Sequence, residues 1–222
     1  MSKLLEACRS LVLFKYNLDD QIHRLWKNSN KRLWGAAYYS VAPWHFINPI
    51  FPFYSYDFEQ EPTTEELDPF QIVGGTYQSY KNENDGSEKV CDILNSGSFD
   101  DPGKYEKLGE LPLYLAREGK NRVRLFQKHN RKVKAKIVHW TLSPPTSLRL
   151  YRTLLSRQYL LSCADHRFIH KEDTIILPFP DVTVPLYQAY GVQVARRFLL
   201  PLSVSAKREA IENRIKRSNL ER

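Results

Sequence analysis

One short stretch of this sequence carries the residue types that phosphate chemistry requires. Glu118, Gly119 and Arg122 stand in a Glu-Gly-Lys-Asn-Arg segment. Glycine lets the backbone approach a ligand closely, and the planar guanidinium of arginine matches phosphate oxygens. A carboxylate beside phosphate can hold a divalent cation or orient an attacking water. This segment therefore predicts a phosphate-binding turn.

Positive charge surrounds this segment. Between Arg117 and Lys136 the sequence has nine Lys or Arg residues and one acid, Glu118. Such a density favours a polyanionic partner. A plainer interpretation stays open, in which Glu118 only pairs with Arg117 or Arg122 and the basic helix is a solvated face. The cations predicted to follow a DNA backbone without reading bases are Arg117, Arg124, Arg131, Lys132, Lys134 and Lys136.

The residues on either side of the segment predict the elements that position it. The chain alternates as a strand over 111–116, and Gly119 follows where a tight turn is needed. A helix of roughly ten residues is predicted from Lys120, with Asn130 as its end. Residues 132–137 then alternate lysine with small or apolar side chains, which predicts a second strand with a lysine face.

The rest of the chain predicts further helices and strands. Residues 3–27 have helical apolar spacing, 147–161 predict another helix, and 174–202 predict a strand followed by a helix. Residues 36–58 are rich in aromatic side chains and broken by proline, so we expect irregular chain packed on the core. A platform for stacking bases or docking a partner is the alternative for this aromatic segment.

Composition restricts the class of protein. The 222 residues carry a net charge of +8, but from Asp57 to Glu110 there are 14 acidic and 4 basic residues. We interpret this acidic region as solvated surface, with a nucleic-acid mimic or a plug over the basic site as the alternatives. The three cysteines lack CxxC spacing, so neither a disulfide framework nor a thiolate zinc site is predicted, which fits a reducing cytoplasm. We expect these cysteines to be buried and inert. No apolar run approaches the roughly 18 residues of a transmembrane helix, so a cytoplasmic, unprocessed protein is predicted.

Four histidines are secondary candidates. His166 and His170 are four residues apart, a spacing that suits a metal only if the segment is helical. The surrounding sequence is more typical of the entry to a strand, which would separate the pair. His129 and His139 flank the basic unit and are candidate phosphate contacts or acid-base groups, although ordinary surface or core histidines are the simpler interpretation.

The strand, turn, helix and strand in LPLYLAREGKNRVRLFQKHNRKVKAKIV resemble the ParB/sulfiredoxin superfamily. Gly119 and Arg122 match the glycine and arginine of its Gly-x-x-Arg turn, which binds nucleotide phosphates or DNA. Lys120 stands where sulfiredoxins have their reactive cysteine, which excludes sulfinic acid reduction. Partition-type members have Gly-Glu-Arg-Arg, from which Lys120 and Asn121 depart. Glu118 is similar to the acid of the Asp-Gly-x-x-Arg branch, which contains nucleotide hydrolases and nucleases.

Size, basicity and the lack of a helix-turn-helix module after the turn make the chain most similar to plasmid fertility-inhibition proteins of the oncogenic suppression type. The resemblance implies an α+β fold with a mixed sheet flanked by helices. It also implies ATP hydrolysis and cleavage of DNA transferred by a competing conjugation system. Glu118 and Arg122 would then be catalytic, Glu118 would hold Mg²⁺, and Gly119, Lys120 and Asn121 would bind nucleotide phosphate.

Three regions are predicted on this basis. Residues 1–56 form an added helical and aromatic segment packed on the core, 57–203 form the ParB/sulfiredoxin-like catalytic domain, and 204–222 form a basic helical tail. Two other functions stay open. One is a ParB-like DNA-binding regulator without enzymatic activity, and the other is an interaction protein that blocks a conjugative secretion or coupling component.

Overall fold

A computed structural model describes most of the chain. The described residues are 2–28, 40–56, 61–75, 87–96, 103–153, 158–165, 167 and 174–195. They form mixed sheets flanked by helices, which confirms the α+β class. Across these ranges, every helix is too short or too polar to cross a bilayer.

The first sheet has six strands and carries the candidate turn at one end. Its strands are β1 (Tyr54–Tyr56), β2 (Thr63–Leu67), β3 (Ile72–Val73), β4 (Gly103–Leu108), β5 (Tyr114–Ala116) and β6 (Val133–Leu142). Strands β4 and β6 run parallel at its centre. Strand β5 pairs antiparallel with β4 and parallel with β3, while β1 and β2 both pair antiparallel with β6.

Two helices cover one face of this sheet. Helix α4 (Arg122–Lys128) buries Val123 and Phe126 against the sheet, as the sequence predicts. Helix α3 (Ser87–Asn95) adds the buried Cys91 to the same cluster. Helix α4 begins two residues later than expected, and the chain turns away after it at Asn130, which has a left-handed φ of 49°. This arrangement confirms the predicted strand-turn-helix-strand unit.

The opposite face packs against a second sheet and three helices. The second sheet consists of β7 (Leu148–Arg152), β8 (Tyr159–Cys163), β9 (Thr174–Ile176) and β10 (Gln193–Ala195), in the order β10-β7-β8-β9. The helices are α1 (Lys3–Asn28), α2 (Pro43–Ile47) and α5 (Pro180–Tyr190). One stripe of α1 is buried at helical spacing, consisting of Cys8, Leu11, Val12, Lys15, Tyr16 and Asp19.

Several expectations can be compared with this fold. The helix over 3–27 is confirmed as α1. The strand and helix predicted over 174–202 are confirmed as β9 and α5, but the chain forms the strand β10 after α5, and residues 196–202 lie outside the described residues. The helix predicted over 147–161 is wrong, because β7 and β8 form an antiparallel pair there. Their apolar residues suit a strand face as well as a helix face, and packing against the core selects the strands.

The aromatic segment packs on the core as expected where it is described, although it is not wholly irregular, because it includes α2 and β1. Phe46, Ile50, Phe51 and Phe53 are all buried in the larger core. The described part of this segment thus stabilises the fold through its rings. Residues 36–39 and 57–58 of the segment lie outside the described residues, as does the predicted tail over 204–222. All three cysteines are buried and none forms a disulfide, in agreement with an inert role.

Candidate phosphate-binding turn

The predicted turn joins β5 to α4 and is tied to the neighbouring strand. The amide N–H groups of Arg117 and Glu118 both donate to the Lys104 carbonyl oxygen on β4, at 3.0 and 3.1 Å. Gly119 then adopts a left-handed φ of 71°, which a residue with a Cβ rarely adopts. The Arg122 amide donates to the Gly119 carbonyl at 2.9 Å and begins the helix.

The amide groups at the tip of this turn are available to a ligand. Within the described part of the chain, the N–H groups of Gly119, Lys120 and Asn121 donate no hydrogen bond. Consecutive backbone donors in a turn that includes a left-handed residue can form an anion-binding concavity. The turn thus has the backbone property that the sequence pattern predicts.

A glycine pair after β3 supports the turn from the side. The Gly75 amide donates to the Lys120 carbonyl oxygen at 3.0 Å. A Cβ on Gly74 would lie 2.8 Å from that same carbonyl oxygen, and a Cβ on Gly75 would lie 2.9 Å from Asn121 Oδ1. Only glycine allows the two backbones to approach this closely. The pair Gly74–Gly75 was not recognised from the sequence, because the contact joins residues distant in the chain.

A buried ion pair lies beneath the glycine pair. Lys15 and Asp19 of α1 are 1% and 0% exposed at their side chains and bind each other. Lys15 Nζ also donates to the Gly74 carbonyl at 2.7 Å, and Asp19 Oδ1 accepts a bond from the Val41 amide at 2.9 Å. Burial lowers the pKa of Lys15, while the charge of Asp19 opposes this shift. Helix α1 therefore contacts the glycine pair that supports the turn, through the charged side chain of Lys15.

Glu118 faces solvent and pairs with Lys104. Its carboxylate Oε2 lies 2.9 Å from Lys104 Nζ, and its side chain is 49% exposed. The open alternative paired Glu118 with Arg117 or Arg122, but its salt bridge is to Lys104, and Arg117 binds Glu106 instead. The carboxylate therefore remains accessible to water and to ions.

Glu106 is a buried acid that no sequence pattern indicates as a candidate. Its side chain is 8% exposed and lies on β4, where the guanidinium of Arg117 binds it. Burial raises the pKa of the Glu106 carboxyl, and Arg117 opposes this shift. The same guanidinium lies 5.4 Å from the ring of Trp44. Arg117 is therefore held by a carboxylate and a ring, which fixes the first residue of the turn.

The cations predicted to contact DNA do not form one continuous surface. Lys134 and Lys136 are exposed on one face of β6, and Lys136 is the direct cross-strand neighbour of Lys104. Arg131 forms a salt bridge with Asp92 of α3. Like charges on adjacent strands repel each other, so Lys104 and Lys136 form the part of this surface best suited to an anion.

The remaining predicted cations have separate surroundings. The Arg124 guanidinium lies 4.6 Å from the ring of Tyr16 and donates to Gln127 Oε1 at 3.2 Å. Arg124 also borders an apolar groove of about 490 Å³ between α1, α4 and the short helix Pro69–Gln71. Lys132 is exposed just before β6. Arg124 is thus directed toward the first helix and away from Lys134 and Lys136.

Two of the four candidate histidines lie in the described part of the chain. His129 caps the end of α4, and His139 is half-buried on β6, on the face opposite to Lys136. His166 and His170 lie outside the described residues. Among the residues that are described, no group of three or more His, Cys, Asp or Glu side chains is arranged to hold a metal ion.

Comparisons with known proteins add no identification. No protein-family model, curated protein or solved structure matches this chain.

Proposed function

We propose that this turn binds phosphate and that the chain is a DNA-directed nuclease with ATP hydrolysis, of the ParB/sulfiredoxin type. The observation that carries the proposal is the left-handed Gly119, followed by amides that donate no hydrogen bond to any described residue, with Arg122 directly after them. In the proposed role the protein acts in the cytoplasm as a plasmid fertility-inhibition factor, on DNA transferred by a competing conjugation system.

Each residue of the turn has a distinct task in this proposal. The amides of Gly119, Lys120 and Asn121 bind phosphoryl oxygens, and Arg122 stabilises the negative charge that develops in the transition state. Glu118 orients the attacking water, for which its solvent access is suitable. Lys104 holds the Glu118 carboxylate in place and adds a positive charge beside it.

A magnesium ion fits this donor set. Mg²⁺ is commonly held by one or two carboxylates together with substrate phosphates, and Glu118 offers one accessible carboxylate. When bound, the ion would neutralise phosphate charge. Lys104 competes for the same carboxylate, so the ion would have to replace that salt bridge.

The experiment is a plasmid-nicking and ATP-hydrolysis assay with and without Mg²⁺. Glu118→Ala should keep binding of ATP and DNA and lower both rates by about 10²-fold or more, the scale of a positioned catalytic group. Arg122→Ala should weaken binding and activity together, and Arg122→Lys should also fail because an ammonium lacks the planar fork. Glu110→Ala is the matched control, since Glu110 is exposed beyond the opposite end of β4.

A DNA-binding regulator without catalysis is the second candidate. The salt bridge between Glu118 and Lys104 favours it, because a carboxylate that only organises a basic surface would be paired in this way. Wild-type rates in Glu118→Ala, with DNA binding lost in Arg122→Ala, would establish this alternative and refute the enzymatic proposal.

A further inference from the structure

Tyr105 has a buried hydroxyl that no group among the described residues satisfies. The residue lies on β4, is 0% exposed and packs with Val123 and Phe126 under α4. Its hydroxyl oxygen has no hydrogen-bond partner within the described part of the chain. A buried polar atom without a partner destabilises a fold, so the hydroxyl requires an explanation.

The hydroxyls of two other buried tyrosines do donate hydrogen bonds. Tyr187 donates to the Ile50 carbonyl at 2.6 Å, and Tyr16 donates to the Ile72 carbonyl at 3.2 Å. A phenylalanine at position 105 would fill nearly the same volume without burying an unpaired oxygen. The hydroxyl of Tyr105 is thus unexplained by packing alone.

Gly103 lies against the phenol end of this side chain, and Gly119 and Arg122 lie next to Gly103. A Cβ on Gly103 would lie 3.0 to 3.2 Å from ring and hydroxyl atoms of Tyr105. A Cβ on Gly119 would lie 3.4 Å from the Gly103 Cα and 3.3 Å from Arg122 Cδ. The hydroxyl therefore lies at the same end of the sheet as the turn, where Arg122 folds back over Gly119.

The hydroxyl retains its proton in this setting. Burial raises the pKa of the Tyr105 phenol, and the nearby charge of Arg122 lowers it only in part. The group is consequently a hydrogen-bond donor at neutral pH. A donor next to a guanidinium is suited to an oxygen that carries negative charge.

We propose that the Tyr105 hydroxyl donates a hydrogen bond to a phosphoryl oxygen that Arg122 binds at the turn. The ligand class is a phosphate ester, supplied by a nucleotide or by the DNA backbone. Since no part of Tyr105 reaches solvent, the oxygen enters from the side of Arg122 and Gly119, and Arg122 moves onto the ligand as it does so. This proposal rests on the proposed phosphate-binding function of the turn.

The decisive variant is Tyr105→Phe in the full chain. Binding of ATP and of a short oligonucleotide is measured by titration, and thermal unfolding is measured in parallel. We expect affinity to fall by about tenfold or more, as for a lost hydrogen bond to a charged group. The melting temperature should stay the same or rise. Tyr187→Phe is the matched control, since it removes a satisfied hydroxyl from the other core and should lower the melting temperature without altering affinity.

The outcomes separate this inference from the function on which it rests. If wild type binds neither ATP nor the oligonucleotide, the phosphate-binding function itself fails. If wild type binds and Arg122→Ala does not, but Tyr105→Phe binds like wild type, only the role of Tyr105 is overturned. A clear drop in the melting temperature of Tyr105→Phe also overturns it, because the hydroxyl would then have a partner inside the protein. An affinity loss confined to one of the two ligands supports the proposal and assigns the phosphate to that source.

Discussion

Removing the charge of Asp19 should show how much the buried ion pair beneath the turn contributes to the free energy of unfolding. Asp19→Asn retains the side-chain volume and the oxygen that accepts from the Val41 amide, but leaves Lys15 buried without a counter-charge. Breaking a buried pair in this way costs about 3 to 5 kcal/mol of unfolding free energy. Urea unfolding followed by tryptophan fluorescence measures the loss directly.

The pH dependence of this loss has a definite sign. Burial lowers the pKa of Lys15 from its ordinary value of 10.5, and Asp19 opposes the shift. In Asp19→Asn that opposition is gone, so the folded-state pKa of Lys15 falls further below its unfolded value. Between the two values the unfolded state binds more protons, and stability rises with pH. The deficit of the variant should therefore shrink as the pH rises toward about 10.

A double variant provides the control. Lys15→Met combined with Asp19→Asn leaves no buried charge, and should cost less than Asp19→Asn alone. A single variant that loses under about 1 kcal/mol, the range of exposed pairs, would show that Lys15 escapes to solvent. The same conclusion follows if the double variant is as unstable as the single one.

Three further changes test other parts of the fold. Gly74→Ala places a Cβ against the Lys120 carbonyl and should destabilise by about 1 to 3 kcal/mol in urea unfolding; an unchanged midpoint would contradict the close approach. Phe46→Ala empties a site that is 2% exposed and should cost about 3 to 5 kcal/mol, and a retained melting temperature would refute its role in the core. Replacing Lys134 and Lys136 together with Ala should flatten the slope of log affinity against log salt on duplex DNA by about two units, whereas an unchanged slope removes this face from DNA binding.

The turn unit was predictable because its signals are local. Alternation before Gly119 and after Asn130 marks strand faces, and both residues adopt the left-handed backbone that their positions suggest. Residues 147–161 were misread because their short apolar runs suit both a helix and a strand. Only pairing with neighbouring strands, which the local sequence does not encode, distinguishes the two.

The surroundings of the candidate site could not be read in the same way. Lys15 and Gly74 meet across 59 positions of the chain, and nothing near either residue indicates the other. Tyr105 and Glu106 are adjacent in an ordinary strand pattern, and their buried polar atoms are apparent only once the sheet is assembled. Sequence patterns thus give the residues that could contact a ligand but not those that hold them in place.

Helix α1 precedes in the chain the other elements that pack against it. Its buried face packs against α5, which lies at positions 180–190. Because a ribosome delivers the chain from its N-terminus, this face of α1 is not fully covered until α5 has emerged. A nascent chain arrested before α5 would therefore display an amphipathic helix with a lysine on its apolar side. Lys15, which pairs with Asp19 in the folded protein, would then help to keep the partly synthesised chain in solution.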